Sequence, residues 1–300
     1  MEKAMNYVGR EDVYRLFSPM PDRTNKGDMG RVLCVCGSYG VGGAAMCGAA
    51  YFSAMAAYRC GAGIVEVFTA KENYNVLGIS VPEAVFSLYG CGEDREEISH
   101  RLVKSIFHAD CIVLGCGLGK SEVSRVLVKT VLENAGVPLI IDADALNIIA
   151  ENESLWSLMS EEQRARTVIT PHPGEMSRLT GKGINKILGD TVLTAESFAT
   201  ERGVICLLKD HNTIITNGND TYINTSGNAG MATAGMGDVL AGVMGALLAR
   251  AGGDEVLYRA AVAAYLHGCA GDAAADKKGR YSLIASDVLE ALSEVISATN

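Results

Sequence analysis

Three hundred residues, of which 48% are apolar and 20% charged, are enough for one large α/β unit with a sizeable core. The formal net charge of −9 argues against a surface built to hold nucleic acid or an anionic membrane, since both need clustered Lys and Arg. Small molecules are the expected partners, and an anionic nucleotide stays admissible because helix N-termini and glycine-rich backbone supply local positive potential.

In chain order, residues 1–15 mix charges of both signs and have no apolar core of a leader, which excludes a secretory signal and points to the cytoplasm. Residues 32–58 carry no charge and are long enough to raise the question of a membrane span. Gly37-Ser38-Tyr39-Gly40-Val41-Gly42-Gly43 interrupts the stretch, dividing it into a strand, a loop and a helix. Short apolar runs without polar alternation recur at 32–36, 64–68, 84–88, 111–114, 139–141 and 168–170. Helical patterns at 44–60, 121–135 and 191–202 follow such runs. The alternation predicts an α/β fold with a doubly wound, mostly parallel sheet buried on both faces. Beyond Arg202 the pattern changes: 204–208, 213–216 and 221–224 crowd together around the turn Asn217-Gly218-Asn219-Asp220 and predict an antiparallel edge hairpin. Helices over 238–249, 255–275 and 287–297 close the chain, the last with Ser286 as the expected N-cap. No repeat or linker divides it, so one domain over 26–300 is expected, preceded by an N-terminal segment of residues 1–25. The nine cysteines include no CxxC pair and sit mostly in apolar runs, as buried reduced thiols do.

Glycine, 34 residues in all, concentrates where strands turn into helices. The junction 37–44 lacks the G-x-G-x-x-G register of a dinucleotide fingerprint. The next, Gly115-Cys116-Gly117-Leu118-Gly119-Lys120-Ser121, mimics a Walker A ending but places its leading glycine one residue off, which excludes a P-loop and leaves a backbone-lined pocket wall. Asp142 and Asp144 end a strand where ligands of open α/β sheets bind, although Asp144 is equally suited to capping the following helix. Pro171-His172-Pro173 holds a histidine rigidly at another strand end, as a ligand contact or as a plain turn residue.

The strongest element is Asn228-Ala229-Gly230-Met231-Ala232-Thr233-Ala234-Gly235-Met236-Gly237-Asp238, which leads directly into an apolar helix. Small side chains leave the amides of residues 235–238 open at a helix N-terminus, where they form an anion hole for a transferring phosphoryl group. A carboxylate beside that anion is awkward for mere phosphate binding and useful as a base that takes a proton from an acceptor hydroxyl. Its bland alternative is an N-cap.

The blocks KGDMGRVLCVCGS, LGCGLG, DADAL, TPHPGE, LLKDHNTII and NAGMATAGMGD together resemble the ADP-dependent NAD(P)H-hydrate dehydratase family of the ribokinase-like superfamily, in the family's order and over residues 25–300. The resemblance implies that (6S)-NADHX or NADPHX loses water to regenerate NADH or NADPH while ADP becomes AMP and phosphate. It makes Asp238 the catalytic base and a substrate contact, and lines the hydrate's pocket with Ala44, Gly117, Gly119 and His172. Lys209, Asp210, His211, Asn212 and Thr213 fall on its first nucleotide segment, and Asn228, Gly235, Met236 and Gly237 on its second. It further implies Mg²⁺ with the phosphates, its ligands unassigned, a homotetramer, and a separate epimerase to convert the R hydrate. The chain departs from the usual pattern at Cys116 (commonly proline), Asp210 (commonly glycine), Ala234 and Met236. A small-molecule kinase of the same superfamily and a non-catalytic nucleotide sensor are the competing expectations.

Overall fold

The apolar runs become strands because each side of the sheet is covered, so successive side chains enter two different cores. The structure is a computed structural model that describes residues 5–17, 20–41, 44–90, 92–251 and 255–298. In chain order its strands are β1 (Met5–Asn6), β2 (Arg31–Val35), β3 (Tyr39–Val41), β4 (Ala44–Ala45), β5 (Ile64–Ala70), β6 (Val85–Tyr89), β7 (Cys111–Leu114), β8 (Leu139–Ile141), β9 (Thr167–Ile169), β10 (Ile205–Leu208), β11 (Thr213–Thr216) and β12 (Thr221–Asn224). Ten of them form one sheet in the order β1-β12-β11-β10-β9-β8-β7-β2-β5-β6. From β10 to β6 every neighbouring pair is parallel. Along β2, Val32 and Cys34 join the core on one face, while Leu33 and Val35 join the other. The first core is closed by helices Cys47–Arg59, Met236–Leu248, Val256–Lys278 and Ala285–Ser297, the second mainly by helices Arg95–Phe107, Glu122–Asn134, Ala143–Glu151 and Thr191–Arg202.

The expected antiparallel pairs are present, β10 with β11 and β11 with β12. Beyond β12 the chain adds β1 in parallel register, Met5 opposite Thr221. Tight parallel packing needs small residues: a Cβ on Gly242 would stand 2.2 Å from the Ser53 carbonyl, so helix Met236–Leu248 lies directly against helix Cys47–Arg59. That helix is apolar around nearly its whole circumference because it is buried on every side.

Four helix starts differ from the sequence reading. Helix Cys47–Arg59 begins after residue 44 because Ala44 and Ala45 pair instead with β3. Helix Met236–Leu248 begins before Asp238, since Gly235 turns at φ 90° and starts it two residues early. Ser286 lies inside the last helix; Ile284 holds the N-cap position, and its amide donates to the Asp287 carboxylate at 3.1 Å. Asp144 is likewise no cap: Asp142 occupies that position before helix Ala143–Glu151. Gly42, Gly43 and Cys91 lie outside the described residues; the other eight cysteines form no disulfide. No described helix is long and apolar enough to cross a membrane.

Candidate active site

Five adjacent strands deliver the site. Beyond their carboxyl ends, β2 continues into Gly37, β7 into residues 115–119, β8 into Asp142, β9 into Thr170 and His172, and β10 into Lys209. The ladder bonds extend past the strands, which fixes these loops: Gly37 N donates to the Cys116 carbonyl (2.8 Å), Asp142 N to Leu114 (3.0 Å) and Lys209 N to Pro171 (2.9 Å). A crevice at the carboxyl edge of an open α/β sheet is where such folds bind ligands.

Neighbouring strands stand about 4.8 Å apart, so a side chain on β10 must pass over β9 to meet one on β8. Lysine's flexible stem allows this, and Lys209 Nζ donates to Asp142 Oδ1 at 2.8 Å. Burial works against the Lys209 ammonium, yet the Asp142 and Glu175 carboxylates outweigh it and hold its pKa above the ordinary value. Asp142 itself is buried, and its carboxylate makes no capping bond to its helix, which frees it for the lysine. The turn that arranges this passes through Ala143 at φ 50°, the one described non-glycine residue in the left-handed region, a conformation that costs about 1–2 kcal/mol. The Asp144 carboxylate accepts from Gly119 N at 2.7 Å and so ties the β7 loop to the same helix start.

The N-terminus of helix Met236–Leu248 faces this pair. No side chain caps it, and its first backbone bond runs from Val239 N to the Gly235 carbonyl (3.0 Å), so the amides of residues 236–238 have no acceptor within the helix. Glycine is required at residue 235: φ is 90°, and a Cβ would lie 2.8 Å from that of Ala285 and 2.9 Å from the Phe52 ring. A Cβ on Gly237 would lie 3.4 Å from both Asp142 Oδ2 and Lys209 Nζ, so open amides, ammonium and carboxylate converge on one spot. Asp238 is the third residue of the helix and does not cap it. Burial, joined by the nearby Asp142 charge, pushes its carboxyl up to about 6, against the opposing pull of the Cys116 thiol and Lys209.

His172 caps helix Pro173–Thr180. Its Nδ1 accepts from Gly174 N (3.0 Å) and Glu175 N (3.3 Å), while the Glu175 carboxylate accepts from His172 N (2.9 Å). Burial and the Lys209 and Arg178 charges lower its pKa, so the imidazole is neutral and its proton sits on Nε2.

A cavity of about 690 Å³ opens beside the helix N-terminus. Of the residues expected to hold nucleotide, Lys209, Asp210, His211, Thr213, Asn228, Met236 and Gly237 line it, and so does His172. Asn212 does not, and Gly235 stands behind the helix start. Gly117 and Gly119 lie outside this cavity on the β7 loop, Gly117 packed against Met46 and Ala49. The Ala44 backbone pairs with Val41, and its side chain lies outside the described residues. The sequence reading did not foresee that Asp142 pairs with Lys209, 67 residues away, or that His267 borders the cavity. The one signal for His267 was a lone imidazole in a helix of mostly small residues.

An open parallel sheet, an uncapped helix N-terminus at its carboxyl edge and a carboxylate inside that helix's first turn define a nucleotide-handling protein of the ribokinase-like class. A ribokinase-like superfamily protein from Enterococcus faecalis superposes with a TM-score of 0.82 at 28% identity, covering 98% of this chain and 96% of that one. The family model described as NAD(P)H-hydrate dehydratase matches residues 32–294, and the chain belongs to that family. The ADP/ATP-dependent NAD(P)H-hydrate dehydratase of Bacillus subtilis, co-crystallised with ATP and Mg²⁺, superposes with a TM-score of 0.80 at 25% identity over 99% of this chain and all of that one. A bifunctional NAD(P)H-hydrate repair enzyme from Moorella thermoacetica is 36% identical over 281 residues, 91% of this chain and 50% of the relative. The chain spans about half the length of the bifunctional relatives it matches.

Proposed function

We propose that this chain dehydrates (6S)-NADHX and NADPHX to NADH and NADPH at the expense of ADP, releasing AMP and phosphate. The observation that carries the proposal is the convergence of the open amides of residues 236–238, the Lys209–Asp142 pair and Asp238 at one end of the cavity. The terminal phosphate of the nucleotide rests on those amides, and the Lys209 ammonium offsets the charge that spreads over its oxygens. Asp238, with its carboxyl near 6, is ionised at neutral pH yet basic enough to take the proton of the C6 hydroxyl. The hydroxyl oxygen then bonds to phosphorus as the bond to AMP breaks. Phosphate is a far better leaving group than hydroxide, and the ring nitrogen lone pair assists its departure. Gly117, Gly119, His172 and Ala44 are assigned to the hydrate, and Lys209 to Thr213 with Asn228 and residues 235–237 to the nucleotide.

Among the described residues no three His, Cys, Asp or Glu side chains converge on a metal site. That suits a Mg²⁺ carried on the nucleotide phosphates, which needs only one or two protein ligands and supplies further charge neutralisation there. The proposal extends to a single catalytic domain over 26–300, a homotetramer, a cytoplasmic setting and a separate epimerase for the R hydrate; eight thiols without a disulfide suit a reducing compartment.

The test is recovery of reduced-nicotinamide absorbance from the pure S hydrate with ADP, run beside ATP. Absorbance should return in step with AMP and phosphate. A stable phosphorylated vitamin alcohol formed from ATP, with no recovery of NADH from either nucleotide, would instead establish the kinase reading.

A further inference from the structure

Buried polar atoms in folded proteins are almost always hydrogen-bonded, because leaving one bare forfeits its interaction with water. Among the described residues, six buried side-chain nitrogens or oxygens lack a partner, and only one belongs to a residue that lines the central cavity: Nε2 of His267. The residue projects from helix Val256–Lys278 and is 8% exposed. Its other ring nitrogen is engaged by the Met236 backbone, at the start of the helix that offers its amides to the phosphate. Burial, reinforced by the Lys209 charge, depresses the imidazole to about 4, so it is neutral wherever the enzyme works. With the proton held on the nitrogen that faces Met236, Nε2 presents a bare lone pair. The wall around it is rigid: a Cβ on the next residue, Gly268, would stand 2.1 Å from Ser226 Oγ, so helix and loop touch and the ring has little room to turn away.

We propose that His267 is a specificity-determining residue of the nucleotide pocket, whose Nε2 accepts a hydrogen bond from a neutral donor on the nucleoside, either the 6-amino group of adenine or a ribose hydroxyl. The proposal rests on the cavity being the nucleotide site. An acceptor in that place disfavours nucleosides that present a lone pair to it, since two acceptors would be desolvated against each other.

The test is calorimetric binding of ADP, purine riboside 5′-diphosphate, 2′-deoxy-ADP and 3′-deoxy-ADP to the wild type, His267→Leu and His267→Gln, with thermal melts to confirm folding. His267→Leu should weaken ADP by roughly 10- to 100-fold, the loss for a buried group stripped of its partner. One analogue, the one lacking the engaged donor, should bind the wild type correspondingly weakly and be nearly indifferent to the substitution. His267→Gln, which keeps an acceptor oxygen, should recover part of the affinity and of the discrimination. If the wild type binds ADP and folded His267→Leu keeps the same affinities for all four ligands, the assignment is overturned while the nucleotide pocket stands. If the wild type binds none of them, the pocket reading fails and takes the assignment with it.

Discussion

At Asp238 two demands oppose each other. The open amides draw an anion to the helix start, while burial and the Asp142 charge resist a second carboxylate there and raise its carboxyl from 3.8 to about 6. A base of that strength gives kcat/KM an acid limb near pH 6. The same shift bears on stability. The folded chain holds the proton more tightly than the unfolded one, so the stabilisation is full below pH 3.8 and is lost as pH rises through 6. Asp238→Asn should therefore lower kcat by about 10²- to 10⁴-fold with little change in nucleotide affinity. It should also raise stability at pH 8 by on the order of 2 kcal/mol and not at pH 4. Rate measurements and denaturant titrations at the two pH values check both halves, and unchanged turnover would remove Asp238 from the mechanism. The sequence pointed to Asp238 because the small-residue loop and the apolar helix adjoin it in the chain. It gave no hint of the shifted carboxyl, which depends on a carboxylate 96 positions away and on a burial that local pattern does not report.

The element that delivers Asp238 is positioned by close contact with its neighbours. Helix Met236–Leu248 meets helix Cys47–Arg59 where Gly242 faces the Ser53 carbonyl, and the Ser53 hydroxyl in turn donates to the Asp238 carbonyl at 3.2 Å. A methyl at residue 242 has backbone in its way and no flexible side chain to displace. Gly242→Ala should cost about 1–3 kcal/mol and, by moving the helix start, lower kcat more than the melting temperature alone would suggest. A melt indistinguishable from the wild type would show that the two helices can part freely. Glycine spacing in an apolar helix was visible in the sequence, but which partner approaches so closely was not. His172 shows the same division. Two prolines announced a fixed histidine, and the structure gave its Nδ1 to two backbone amides, so it holds a helix start as well as lining the cavity.

Across the whole molecule, the amino-terminal residues belong to the body of the fold. β1 pairs with β12, Val13 is buried in the core beneath the sheet, and Asp12 accepts a hydrogen bond from Tyr258 at 2.9 Å. That carboxylate, with burial leading, drives the Tyr258 phenol up to about 12. Removing residues 1–17 would expose the β12 edge and vacate the Val13 site. The loss of buried valine alone is worth about 1.5–3 kcal/mol, so the truncated chain should melt roughly 5 °C lower and associate through its bared strand. Calorimetry and light scattering on the shortened protein measure the two effects; equal melting temperatures would mean that the segment is only laid on the surface.

The sequence by itself determined the strands, the glycine junctions and the loop that begins at Asn228, because unalternating apolar runs, small residues at turns and a helix start are properties of neighbours along the chain. It also determined the α/β class, since alternating strands and helices leave few ways to cover a parallel sheet. The tertiary structure alone decided that Lys209 reaches over β9 to Asp142, that β1 lies beyond the hairpin, and that His267 turns a bare nitrogen toward the cavity. Each of these joins residues distant in sequence, and their charges and lone pairs acquire a partner, or lack one, only when folding brings the groups within a few ångströms and removes the water between them.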